Sequence, residues 1–340
     1  EDQFRIPKSA FRIGRTRNPN PATPNTKPKM PNTKNMNFTH MVPSDFAAYK
    51  PYFSQQRYAL CGYALSSIIA WSNEEYQPFG AFADDALIVA AEFATEREHR
   101  HLILPIAPNR EYQPRELSEL ARDLGYSTFW FVPESYIEQQ GREELARYFS
   151  IVPHEAYDDF VFRTEDLAFL KGNKYSKKRN LINQFEREFV ATGRVQVAEM
   201  GPAVVDECLE FLEKWCEERD GCDGVKNSDL ACEKQAAITT IENLEQMELK
   251  GILVRLDNVA SAFGISSTLT QDMATLQYEK AFSNVKGLYQ YLDRECARRL
   301  FDGFTYINKE SDMGMPGIAK SKRSYYPVMM VKAYKLILRS

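Results

Sequence analysis

Two stretches of the chain repeat one pattern of apolar and polar positions. In the first, the apolar runs Phe79–Phe82 and Ala86–Phe93 predict strands joined through Asp84-Asp85, and Leu102–Ile106 predicts a third. Pro114 opens a helix with Leu117, Leu120, Ala121 and Leu124 on one face, and Gly125 closes it. The run Thr128–Val132 then predicts a buried strand. In the second stretch, Ile252–Leu256 and Val259–Ile265 predict strands joined through Asp257-Asn258, followed by the strand Ala274–Ala281. A helix from about Lys286 to Phe301 aligns Leu288, Leu292, Cys296 and Leu300, and Phe304–Ile307 is the closing strand. Asp257 lies 173 positions after Asp84, Lys286 172 after Pro114, and Phe304 176 after Thr128. Shared order and spacing predict an internal duplication of an α/β unit with a mixed sheet and a right-handed crossover.

Between the two units, periodicity predicts helices over Tyr175–Val190 (Ile182, Phe185 and Phe189 on one face), Ala203–Arg219, and about Cys232–Met247, with a strand at Val195–Ala198. The domain expectation is residues 37–155 and 156–340, the second holding the active module. Residues 1–36 hold six Pro, five Asn, eight Lys/Arg and two Asp/Glu, which predicts a disordered basic tail. Two other readings of the tail are a basic anchor for anionic lipid or RNA, and an upstream extension before translation starts near Met36.

The overall net charge of -4 thus combines +6 in the tail with -10 in the body, which argues against broad nonspecific nucleic-acid binding. No apolar run of membrane-spanning length and no signal-peptide pattern is present, so a cytoplasmic location is expected. The six cysteines fit no zinc spacing, and Cys208 and Cys216, on an apolar helix face, are expected as reduced core thiols. His99 and His101 have no evident third ligand, so no metal site is expected.

The segments YDDFVFRTEDLAFLKGNKYSKKRNLINQF (157–185) and YINKESDMGMPGIAKSKRSYYP (306–327) carry a specific likeness, together with Trp215-Cys216-Glu217, Phe263-Gly264, Glu279-Lys280-Ala281 and Gly287-Leu288-Tyr289-Gln290. The chain resembles, over roughly residues 37–338, the largely uncharacterised bacterial proteins grouped with the phosphatidylglycerol lysyltransferase C-terminal domain. The resemblance implies two tandem GNAT-type acyltransferase folds, each a mixed sheet flanked by helices. It also implies kinship with enzymes that take an amino acid from charged tRNA. In the characterised lysyltransferases the acceptor is a lipid headgroup and a large membrane domain accompanies the module; this chain is expected to lack that domain.

The resemblance directs attention to the turn before the helix at Gly287, where a GNAT fold meets the donor's pyrophosphate through free N–H groups. Tyr289 stands where a second glycine is usual and would crowd an acyl-CoA; the alternative for Gly287 is a close packing contact. The equivalent first-half turn has no glycine between Ala107 and Leu124 and is expected to bind no donor. Lys174, Lys178, Arg179 and Asn183, in or beside a basic run, are candidates for holding phosphate or an RNA 3′ end, against a solvated helix start. Strand alternation puts Glu279 and Lys280 on opposite faces; Glu279 is the candidate general base and Lys280 a candidate substrate contact, against a structural Glu–Lys pair. Glu310 and Asp312 are candidates for a donor's cationic amino acid, against a helix cap, and Lys320 is a candidate substrate contact. Tyr325 or Tyr326 is the candidate general acid, against a buried core tyrosine. The expected reaction is aminoacyl transfer from aminoacyl-tRNA to an amine or hydroxyl of a small molecule, lipid headgroup or peptide, with no cofactor required. Acyl-CoA is the alternative donor, and a non-catalytic binding module the third reading.

Overall fold

The computed structural model describes residues 36–83, 85–218 and 228–339, and backbone alone at 228–231. The expectations for the N-terminal tail lie outside the described residues, as does Asp84 of the first hairpin turn. The strands are β1 Thr39–His40, β2 Tyr76–Phe82, β3 Leu87–Phe93, β4 His101–Leu102, β5 Thr128–Pro133, β6 Phe149–Pro153, β7 Asp159–Arg163, β8 Val195–Glu199, β9 Lys250–Leu256, β10 Val259–Thr268, β11 Met273–Ala281, β12 Tyr306–Asn308, β13 Met329–Val331 and β14 Ala333–Leu338. The helices are α1 Phe46–Phe53, α2 Leu65–Ala70, α3 Pro114–Leu124, α4 Glu134–Gln140, α5 Arg142–Ala146, α6 Thr164–Phe169, α7 Ser176–Phe185, α8 Val205–Glu217, α9 Ser228–Glu242, α10 Leu288–Arg299 and α11 Pro316–Arg323.

Two seven-stranded sheets result, ordered β1-β2-β3-β4-β5-β14-β6 and β13-β7-β12-β11-β10-β9-β8. Read from β1 and from β8, they share one topology: three antiparallel pairings, one parallel, then two antiparallel. The expected mixed α/β architecture of two like units is therefore present. The chain also crosses between the sheets twice. It leaves the edge strand β6 to become β7 inside the second sheet, and leaves the edge strand β13 to become β14 inside the first. Residues 333–338 thus complete the first sheet.

Local chemistry explains most element ends. Asp257 and Asn258 both adopt positive φ (50° and 68°), as a tight hairpin turn between twisted strands requires. Gln113 and Glu116 form a capping box at the start of α3, and Gly125 ends it at φ 72°. The strand expected over Leu102–Ile106 is shorter: β4 stops at Leu102, and a single bridge joins Ile106 to Leu87. Pro105, which has no N–H to donate, interrupts the ladder between them. The helix expected over Tyr175–Val190 is α-helical only to Phe185 and widens into a π turn over Glu186–Val190.

Side chains of the second sheet alternate between two cores. Ile252, Val254, Ala262 and Leu276 face α10 with Leu288, Leu292 and Cys296. Leu253, Phe263, Ile265 and Tyr278 face α8 and α9 with Phe211, Leu212, Trp215 and Ile241. The first core takes in Val161, Met247, Leu269 and Met273 from the second half of the chain. Cys208 is a free, buried thiol, as expected. Cys216 departs from its expectation: it is disulfide-bonded.

Candidate functional site

The site is created by one extra residue in β11. Tyr278 lies opposite Ile265 while Leu276 lies opposite Ser266, so Gln277 is a bulge. Before it, Ala274 and Leu276 face α10; after it, Tyr278 faces the α8–α9 side and Ala281 returns to the α10 side. An unbroken two-residue period would have turned Glu279 away from α10. The bulge re-aims it. Beside it the sheet opens. β11 and β12 pair only over Met273–Thr275 and Tyr306–Asn308. Beyond that, β11 continues along β10 to Ala281, while the chain after Asn308 follows β7, exchanging hydrogen bonds with Phe160 at Lys309 and Glu310.

Four charged groups and a phenol gather at this opening. Lys309 Nζ lies 2.7 Å from Glu279 Oε2 and 3.0 Å from Asp293 Oδ2 of α10. The Lys178 ammonium lies 3.7 Å from the centroid of the Tyr325 ring. Asp293 and Lys309 are buried, and Glu279 keeps 18% of its side-chain surface exposed. Burial, reinforced by the charge of Asp293 and opposed by Lys309, raises the Glu279 carboxyl to about 7. Burial opposes a charge on Lys309, but Asp293 and Glu279 outweigh it and keep that ammonium protonated. Burial, then the acids Asp293 and Glu279, hold the Tyr325 phenol well above its usual range. Burial lowers Lys178. The set therefore places a carboxylate that ionises near neutrality beside a fixed cation and a phenol that stays protonated.

A second buried cluster joins the two sheets. Asp159 accepts hydrogen bonds from Cys61 N (2.5 Å), Cys61 Sγ (3.3 Å) and Asn308 Nδ2 (2.8 Å). Burial raises its carboxyl to about 6. Lys322 donates to the carbonyls of Lys309, Glu310 (3.1 Å) and Ser311 (2.6 Å). Glu310, at φ 58°, is raised to about 8 by burial against the pull of Lys322.

The residues singled out in the sequence divide accordingly. Glu279, Tyr325 and Lys178 meet at the opening. Lys280 does not: on the other face it is ion-paired with Glu233 and lies 4.0 Å from the Trp215 ring centroid. Arg179 is turned inward, donating to the carbonyls of Leu170 (2.5 Å) and Gly172 (2.6 Å), which makes it a loop clamp. Lys174 stands over the exposed ring of Tyr326, and that ring packs edge-on against Tyr175. Asn183 is exposed on α7. Gly287 is the left-handed N-cap of α10, and a Cβ there would lie 2.4 Å from Leu181 O, the close packing contact held as its alternative. Tyr289 OH accepts from Trp215 Nε1 at 3.3 Å. Asp312 accepts from Gly314 N at 2.9 Å and so caps the turn that follows it. Lys320 is exposed on α11. Asp293 and Lys309 were missed; an acid beside Leu292 on the apolar stripe of α10 was the one signal available.

The helix starts of the two units differ chemically. The first turn of α3 carries Glu116, which bonds back to Gln113 N at 2.8 Å and pairs with Arg110. A carboxylate there repels an anion. The first turn of α10 carries no acid. Among the described residues, no helix is long and apolar enough to cross a membrane.

A family model described as "Phosphatidylglycerol lysyltransferase, C-terminal" matches residues 58–337. The chain belongs to this family. A solved structure of a conserved protein of unknown function from Bacteroides thetaiotaomicron superposes with a TM-score of 0.78 at 25% identity, covering 89% of this chain and 100% of that one. The C-terminal domain of a putative lysylphosphatidylglycerol synthetase from Agrobacterium fabrum shares the fold at a TM-score of 0.59 and 12% identity, over 87% and 92% of the two chains. An uncharacterised protein of Mycoplasmoides gallisepticum is 24% identical over 181 residues, 53% of this chain and 56% of its own length. The match thus spans little more than half of that relative.

Proposed function

We propose that the chain is a GNAT-type acyltransferase that moves an aminoacyl group from aminoacyl-tRNA to an amine or hydroxyl acceptor at the opening between β11 and β12. The observation that carries the reading is the bulge-directed Glu279 carboxyl, ionising near 7 and held beside Lys309 and Tyr325. Ionised Glu279 takes the proton from the acceptor N–H or O–H as its lone pair attacks the donor carbonyl. The C–O bond to the tRNA ribose then breaks, and the leaving hydroxyl takes a proton from Tyr325 or solvent. Lys309, fixed by Asp293, stabilises negative charge developing at the reacting carbonyl.

Membership of a family described by lysyl transfer supports the aminoacyl form. So does Tyr289, whose ring follows Gly287 where a pyrophosphate would need bare backbone. The acid-free start of α10 favours the alternative donor, acyl-CoA. Neither reading requires a bound cofactor. Transfer assays with charged tRNAs and with acyl-CoAs separate the two. Under either, Glu279→Gln lowers turnover by about 10²- to 10⁴-fold with the fold intact. Absence of transfer from both donors would leave the protein a binding module.

A further inference from the structure

The first unit meets anions with a carboxylate at the start of α3, yet one of its loops runs directly behind the site. Strand alternation decides what that loop meets. Phe160 and Phe162 of β7 and Ile307 of β12 lie in the core under α10. Asp159 and Asn308, at the alternate positions, lie on the reverse face, where Val161 belongs to the core of the first unit. Both are fully buried. Asn308 Nδ2 donates to Ala59 O and to Asp159 Oδ2, each at 2.8 Å. Asp159 Oδ2 also accepts from Cys61 N at 2.5 Å. The loop that supplies these partners is firmly seated: Leu60 and Tyr63 are buried, and its turn closes through Tyr63 N to Leu60 O at 3.0 Å and Ala64 N to Cys61 O at 2.9 Å.

Lys309 depends on this arrangement. Asn308, its neighbour, is the last residue of β12 paired with β11, opposite Thr275. Beyond it the chain leaves β11 and keeps only β7, where Lys309 N donates to Phe160 O at 2.9 Å. A strand end that has lost one flank holds its place only if side chains take up its free polar groups. Lys322 takes the Lys309 carbonyl, and Asn308 Oδ1 accepts from Glu310 N at 2.6 Å. One amide side chain therefore braces the backbone on both sides of Lys309 and ties it to the first unit. From that fixed origin the Lys309 side chain reaches Glu279 and Asp293 together. A mobile origin on a flexible four-carbon stem would let the ammonium settle on Asp293 alone.

We propose that Asn308 is a positioning residue: anchored to Ala59 and Asp159, it lets the first unit set where the Lys309 ammonium stands against Glu279, while touching no substrate itself. The proposal rests on the reading of Glu279 as the proton acceptor, and it gives the first unit a part in the reaction. Asn308 carries no charge. Replacing it leaves Asp293, Lys309 and Lys322 as the charges acting on Glu279, so a change in the titration of that carboxyl reports geometry.

The experiment has a substrate-free arm and a kinetic arm. In the first, the Glu279 carboxyl is titrated by carbon-13 NMR in the unaltered chain, in Asn308→Ser and in Asn308→Ala, with Glu279→Gln to assign the resonance. Lys309 holds this carboxyl down, so its midpoint near 7 is expected to rise in Asn308→Ser and further in Asn308→Ala. In the second, turnover is expected to fall about 10- to 10²-fold at unchanged KM, with the inflection of the pH–rate profile following the titration. An asparagine that only fastens the two units would lower the melting temperature and leave titration and inflection in place, which overturns the proposal. Should neither variant fold, hydrogen exchange in the unaltered chain decides: the Glu310 amide is expected to be as protected as the amides of β11, and rapid exchange there overturns the proposal. If neither donor supports transfer, the kinetic arm falls with the proposed function, and the titration still tests the placement of Lys309.

Discussion

Asp159 and Glu310 illustrate how burial writes pH dependence into single residues. Both sit in the cluster that joins the sheets, and burial raises their carboxyls from the ordinary 3.8 to about 6 and from 4.5 to about 8. In the folded protein each keeps a proton that the unfolded chain has already released. Their contribution to stability is therefore complete below the ordinary values and is lost as pH rises through about 6 and then about 8. The melting temperature is expected to fall between pH 5 and pH 9, and Glu310→Gln is expected to flatten the upper part of that fall. Melting curves across this range, with the variant in parallel, check the sign. Arg179 teaches a different residue-scale lesson. In a run of five cations without an acid, the sequence offers no reason to separate one arginine from its neighbours. Only the left-handed Leu170 and the carbonyls beside it make Arg179 a clamp.

At the scale of elements, α10 is held against the sheet by a fit without slack. A Cβ on Gly264 of β10 would meet Cys296 Sγ of α10 at 2.2 Å, and neither backbone can yield cheaply. Gly264→Ala is expected to cost about 1–3 kcal/mol of unfolding free energy. Cys296→Ala removes the opposing sulfur, so the double variant should recover part of that loss, read from a denaturant double-mutant cycle. Most elements here were legible in the sequence because their causes are local: alternation in β9 and β10, two turn residues at Asp257-Asn258, a capping box and Gly125 around α3. The bulge at Gln277 was not. Alternation still separates Glu279 from Lys280 with or without it; which of them faces α10 depends on the register with β10, a partner that strand alternation alone does not specify. The site was legible to the same extent. Glu279, Tyr325 and Lys178 announce themselves by type and position. Asp293 is hidden by its apolar neighbours, and Lys309 by a strand that ends one residue before it.

The whole molecule is bound together by exchange. Asp158 accepts from Ala333 N at 2.9 Å and pairs with Lys332 at 2.6 Å, fixing the second crossing as β14 enters the first sheet. Gln56 Nε2 reaches Leu269 O at 3.0 Å, and Asn308 Nδ2 reaches Ala59 O at 2.8 Å. Ala333 and Leu336 lie in the first core, so that core is incomplete until the last strand arrives. The repeated unit was readable from near-constant offsets, whereas the exchange was not, because nothing in the short run Ala333–Leu338 specifies which sheet accepts it. One calorimetric transition is expected rather than two. Ending the chain at Lys332 removes β14, uncovers facing edges of β5 and β6, and should abolish that transition, whereas independent halves would leave one melting.

The central claim is that Glu279 moves the proton at the opening between β11 and β12. Its most direct test is the single-turnover transfer rate as a function of pH, measured for the unaltered chain and for Glu279→Gln with the donor that supports transfer. The rate should rise about tenfold per pH unit below about 7 and level off above it, following the ionised fraction of that carboxyl, and the rise should vanish in the slower variant. A variant with the parent's rate and the parent's pH profile would contradict the account.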